Sequence, residues 1–145
     1  MIMKKLLLVI PAILGLTLLV SSYSFVQAKS AKPYDFSMSF KSNGGDVYSD
    51  SGSGEKKKSK SAYVVETNYI KYPSRKVSIW AAASNKKNSG FVNVSAGKYY
   101  TVKKGTEQYL YNLAREKYGE NTYARLHSGA NSTNNIQGGW NPDRK

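Results

Sequence analysis

The chain has 145 residues, 22 of them basic and nine acidic, with a formal charge of +13 and no cysteine. That composition excludes a disulfide framework, a thiolate metal site and a lipid-bearing N-terminal cysteine, so stability has to come from packing and hydrogen bonds. The charge attracts anionic polymers and surfaces, or keeps the protein soluble.

The N-terminus opens with MIMKK, which is basic, continues with an uncharged apolar run from Leu6 to Val20, and reaches small residues at Val26-Gln27-Ala28. This order predicts a secretory signal peptide over 1–28, cleaved after Ala28. As a helix, at about 1.5 Å per residue, the apolar run reaches roughly 22 Å, short of the ~30 Å hydrocarbon core of a membrane. Pro11 and Gly15 weaken a permanent span further. Residues 29–145 then form one secreted domain. Lys4 and Lys5 leave with the signal, so 20 basic residues face nine acidic ones, a formal +11.

Period-2 alternation predicts an all-β domain, an antiparallel β-sandwich of about seven short strands. Tyr34, Phe36, Met38 and Phe40 alternate with polar residues in the first strand. Residues 41–61, rich in Gly, Ser and Lys, read as a flexible loop or a loose hairpin around Asp46-Val47-Tyr48. In 62–72, Tyr63, Val65, Thr67 and Tyr69 share one face. In KVSIWAAAS, Val77, Ile79 and Ala81 oppose Ser78, Trp80 and Ala82, a pattern in which both faces can be covered. FVNV (91–94) and KYYTV (98–102) follow as short strands. Residues 106–118 fit a short helix capped by Thr106 and stopped by Gly119, with Leu110, Leu113 and Ala114 on one side; a strand followed by a turn also fits. The last strands run from Thr122 toward Gly129 and from Asn135 to Trp140.

Catalysis finds little support. His127 is the only histidine and has no acid beside it, while the nine carboxylates are scattered without a pair suited to glycoside hydrolysis. Asp46, Asp50 and Glu55 do not follow calcium-loop spacing, and Lys56 to Lys58 would repel a cation. No metal, cofactor or nucleic-acid partner is expected. The candidate anion-binding residues are Lys56, Lys57, Lys58, Lys60, Lys86, Lys87, Lys103 and Lys104, all placed in turns or loops that can gather at one end of a sandwich. Lysine's compact charge suits diffuse attraction more than bidentate reading of a ligand. A tyrosine-rich C-terminal half could supply a sugar-stacking surface, although core and sheet-face packing is the favoured account of the tyrosines. Trp80, Tyr123, Trp140 and Pro142 are assigned structural roles, with Trp140 plugging the core near a sheet edge and Pro142 ending the pairing.

GFVNVSAGKYYTV, YARL and GGWNPD together resemble a family of small secreted proteins from Gram-positive bacteria, of unknown function, that end in a similar Trp-x-Pro-Asp tail. Tyr123 to Leu126 and Gly139 to Pro142 carry the match. The resemblance implies export and a β fold, and it transfers no catalytic residue. A neighbouring analogy is to the lactococcin 972-type bacteriocins, cysteine-free β-sandwiches of comparable size. The expected function is that of a secreted, cationic, non-enzymatic protein held to anionic cell-wall polymers or to a membrane surface. The alternative is a bacteriocin-like antagonist.

Overall fold

The computed structural model describes residues 34–49 and 54–144; the expected signal segment, 1–28, lies outside them. The described residues form β1 (Tyr34–Phe40), β2 (Gly45–Tyr48), β3 (Glu55–Lys56), β4 (Tyr63–Ile70), β5 (Val77–Ser84), β6 (Val92–Asn93), β7 (Tyr100–Thr101), β8 (Glu107–Leu110), α1 (Ala114–Tyr118), β9 (Tyr123–Ala130) and β10 (Asn134–Asn141). A 3-10 turn at Gly119–Asn121 links α1 to β9. No helix among these residues is long and apolar enough to cross a membrane.

Two antiparallel sheets pack face to face. The first has the order β1-β10-β4-β8; the second runs β2-β9-β5-β6, with β3 also on β9 and β7 also on β5. The two ends of the described chain are joined in one ladder, from Tyr34 opposite Trp140 to Phe40 opposite Asn134. Phe36, Met38 and Phe40 of β1 point inward, as their alternation requires, and meet Val65, Ile136, Leu110, Ile79 and Leu126. Ala81, Ala83 and Ala124 are small where Tyr63 and Trp140 are large. Tyr63 spans the sandwich, donating its hydroxyl hydrogen to the Ala82 carbonyl at 2.8 Å, so its buried oxygen is satisfied. Both faces of β5 are covered, as its run of apolar residues implied.

Three expectations are corrected. Residues 41–61 are not a plain loop: β2 pairs with the second half of β9 and β3 with its start. Without these two short strands the outer edge of β9 would expose unpaired backbone groups. Residues 106–118 are not one helix. Glu107–Leu110 adds a strand to the edge of β4, which turns Leu110 inward, and the helix begins only at Ala114 with no side-chain cap. Leu113, expected on the buried side, is exposed. Gly119 ends the helix at φ +59°, as anticipated.

Trp140 is buried, with 1% of its surface exposed. It does not sit at a sheet edge, because β10 lies between β1 and β4. Its ring packs between those of Tyr34 and Tyr63, each with its centroid 5.8 Å away. The register of β10 against β4 shifts between Gln137 and Gly138. There, a Cβ on Gly138 would fall 2.0 Å from the Glu66 carbonyl oxygen, so only glycine lets the two strands approach this closely.

Candidate functional site

The eight lysines proposed as anion contacts do not gather in one place. Lys57 is fully buried. Its ammonium donates to the carbonyls of Ser61 and Pro142 and lies 3.3 Å from Asp143 Oδ1. Burial pulls its pKa down, and the Asp143 charge offsets only part of that effect. Asp143 in turn accepts from the Lys58 and Ser59 amides, both at 2.8 Å, and from the Ser59 hydroxyl at 2.6 Å. Burial pushes its carboxyl up, but these hydrogen bonds and Lys57 outweigh it and hold the pKa below the usual aspartate value. The Trp-Asn-Pro-Asp tail is therefore a latch that closes one end of the sandwich. Lys57 belongs to this latch, and its charge is not available to a surface ligand.

Lys56, Lys58, Lys60, Lys86 and Lys87 are exposed at the same end as the latch. Lys56 pairs across to Tyr123 and lies over its ring at 4.9 Å; Tyr123 also faces Ser84, just before Lys86 and Lys87. Basic and acidic residues mix here, since Arg115, Lys117 and Arg144 are accompanied by Glu116, Glu120 and Asp143. Lys103 and Lys104 lie toward the opposite end, following β7, where the Val102 amide bonds the Val77 carbonyl at the start of β5.

That opposite end is where unbalanced charge collects. Its four connections, 41–44, 71–76, 102–106 and 131–133, carry Lys41, Lys71, Arg75, Lys76, Lys103 and Lys104 and no acidic residue. All six side chains are exposed. The 71–76 connection is held in shape. Its Tyr72-Pro73-Ser74-Arg75 turn closes with a 3.0 Å amide-to-carbonyl bond, and the Asn134 side chain bonds Tyr72 and Arg75 backbone groups. Arg75 stacks over Tyr72 at 4.4 Å and donates to the Thr133 carbonyl at 2.9 Å. Sequence reasoning missed four of these six residues because it weighted runs of adjacent lysines. Spacing along the chain carried no sign that 41, 71 and 75–76 meet through the β1–β10 and β4–β10 ladders.

The outer face of the second sheet carries a cluster of rings. His127 packs against Tyr48 at 4.5 Å and Trp80 at 5.9 Å, and Trp80 meets Tyr99 edge-on at 5.1 Å. The Arg125 guanidinium lies over Phe91 at 3.9 Å and over Tyr48 at 5.0 Å. Burial, together with the Arg125 charge, lowers the His127 pKa from 6.5 to about 4, so the ring is neutral at pH 7. Its Nε2 is buried without a hydrogen-bond partner among the described residues. Trp80 packs in this cluster on the outer side of its sheet and not in the central core. Beside Trp80 and Tyr99 an open cleft of about 340 Å³ runs to the basic end.

The family signature covers both the sandwich and its latch. The chain belongs to a family of proteins of unknown function (DUF2712), matched over residues 24–144. No curated protein and no solved structure matches it. Within this DUF2712 chain the YARL stretch opens β9, with Ala124 and Leu126 in the core and Arg125 in the outer ring cluster. The WNPD tail supplies Trp140 to the core, the Pro142 carbonyl to Lys57 and the Asp143 carboxylate to residues 57–59. Among the described residues no three His, Cys, Asp or Glu side chains converge to hold a metal ion.

Proposed function

We propose that this is a secreted, non-enzymatic protein that associates by charge with anionic polymers of the cell envelope or the extracellular space. The observation that carries the reading is the basic end, whose four connections present six exposed cations and no acidic residue. Dispersed lysines attract a flexible polyanion without demanding one geometry, and the attraction extends about a Debye length, ~10 Å at 0.1 M salt. The 71–76 turn is braced by Asn134, so part of this charge is presented on a fixed surface.

The same chemistry could meet wall polymers or lipid headgroups. Co-sedimentation separates them, using purified walls, walls stripped of their anionic polymers, and vesicles of anionic lipid. Retention by intact walls that is lost on stripping and released by salt is the expected result. Retention that persists at 1 M salt, where screening acts within ~3 Å, would overturn the electrostatic reading. Retention by vesicles alone would move the partner to the membrane surface. Killing of related bacteria by the purified protein would favour the antagonist reading.

A further inference from the structure

The cleft beside Trp80 has the makings of a second kind of site. Its volume of about 340 Å³ lies within the roughly 300–1,000 Å³ typical of small-ligand clefts. One wall is the Tyr99 ring, 62% exposed and set edge-on against Trp80, which is itself only 8% exposed. The other wall is Asn43 of the β1–β2 turn with Asp46 of β2, and Asn131 closes the rim. Tyr99 is delivered by a connection that turns through Ala96 at φ +52° and Gly97 at φ +75°.

Gly129 on the floor shows how these groups converge. A Cβ added there would lie 2.8 Å from Asp46 Oδ1 and 3.3 Å from the Trp80 ring. A carboxylate oxygen and an aromatic surface therefore border the same bare stretch of backbone. The Asp46 carboxylate takes no hydrogen bond or ion pair among the described residues, although the chain is rich in lysine and the basic end is its neighbour. Lys41 precedes Asn43 by two residues and Lys76 precedes Ser78 by two, so both cations stand close in the chain to residues that line the cleft.

We infer that this cleft binds one uncharged sugar ring of a polysaccharide, stacked on Tyr99 and hydrogen-bonded by its hydroxyls to Asp46, Asn43 and Asn131. The chemistry fits each part. A pyranose has an apolar C–H face suited to a tyrosine ring, and vicinal hydroxyls donate to a carboxylate and exchange hydrogen bonds with amides. A negatively charged unit would be repelled by Asp46. It would instead sit outside the cleft, at Lys41 and Lys76. The inference rests on the proposed polyanion reading and sharpens it: the partner is a glycan with neutral and anionic units, and the cleft reads the neutral ones.

The two readings fail separately. Titrating ¹⁵N-labelled protein with neutral tetrasaccharides of β-linked glucose and of β-linked N-acetylglucosamine tests the cleft through its two tryptophan indole N–H signals. The Trp80 signal should move with at least one of them, while that of Trp140, buried between Tyr34 and Tyr63, stays put as an internal control. Tyr99→Ala and Asp46→Ala, both at exposed positions, should each weaken that binding about tenfold or more, the size expected for losing one aromatic or charge-assisted contact. Both variants should keep salt-sensitive retention on a polyanion resin. A still Trp80 signal with both sugars, or an undiminished response in both variants, overturns the sugar site. Failure of the wild-type protein to bind the resin at low salt, with the Trp80 response intact, overturns the charge reading alone.

Discussion

The two ends of the sandwich hold similar net charge and use it differently. The latch end has more basic residues, but Lys57 is buried against Asp143, Lys56 lies on Tyr123, and Glu116 and Glu120 stand among the rest. The opposite end has six exposed cations on four connections that carry no acidic residue of their own, with Asp46 one strand position away. A count of lysines along the chain ranks the first end higher; the topology ranks the second higher. What matters to a polyanion is charge that is exposed, close together and unopposed.

The largest effect should come from the latch end. Trp140→Ala removes a ring packed between Tyr34 and Tyr63 and should cost about 3–5 kcal/mol, lowering the melting temperature by more than ~10 °C. A smaller loss would mean that the tail is not integral to the core, and the contrast between a locked end and an open one would weaken. Next comes an asymmetry within the latch. Asp143→Ala leaves the Lys57 ammonium buried without its counter-charge and frees two amides, at a cost of about 2 kcal/mol or more. Lys57→Met should be close to neutral, because it removes a charge that burial already disfavours while Asp143 keeps its Ser59 and Lys58 donors. Urea denaturation of the two variants side by side decides it. Equal losses would refute the account of the latch.

The basic end should respond in binding and leave stability alone. Lys71→Gln, Arg75→Gln and Lys76→Gln together should lower the salt concentration that elutes the protein from a polyanion resin, with a loss of up to ~1 kcal/mol per charge at a surface. Lys58→Gln, Lys86→Gln and Lys87→Gln remove the same formal charge from the latch end and should shift elution less. If the two triple variants elute together, only net charge matters and the distinction between the ends has no functional meaning.

The strands were legible because alternation is local. Phe36, Met38 and Phe40 announce an inward face without reference to any other part of the chain, and so do Ala124 and Leu126. Residues 45–48 and 55–56 were not legible as strands. Their composition is that of a loop, and they are ordered by the edge of β9, whose paired residues lie 67 to 85 positions further on. Leu110 misled for the same reason, since its inward orientation is set by pairing with β4 and not by its own helical neighbours. Lys57 stands in a KKK run that looks like solvated surface, and only the arrival of Pro142 and Asp143 from the far terminus buries it. Single-residue positions such as Asp46, Tyr99 and Gly129 carried no sequence signal of a cleft, because four separate segments build it.

The smallest effect tests whether the ring cluster that backs the cleft is rigid near neutral pH. His127 is neutral in the folded protein, with its pKa lowered to about 4, while in the unfolded chain it titrates near 6.5. Between these values the unfolded state takes up a proton that the folded state refuses, so stability falls as pH drops from 6.5 toward 4 and this contribution levels off below 4. His127→Phe keeps a ring against Tyr48 and Trp80 without a titrating group and should flatten the profile in that window. Asp143 acts lower on the scale: its depressed pKa adds stability that is retained above 3.8 and lost as pH falls below that value. Melting curves of wild type and His127→Phe between pH 7 and 3 should therefore diverge above pH 4 and run parallel below it. Curves that stay parallel throughout would mean that the ring is solvated and that the outer cluster is looser than the latch.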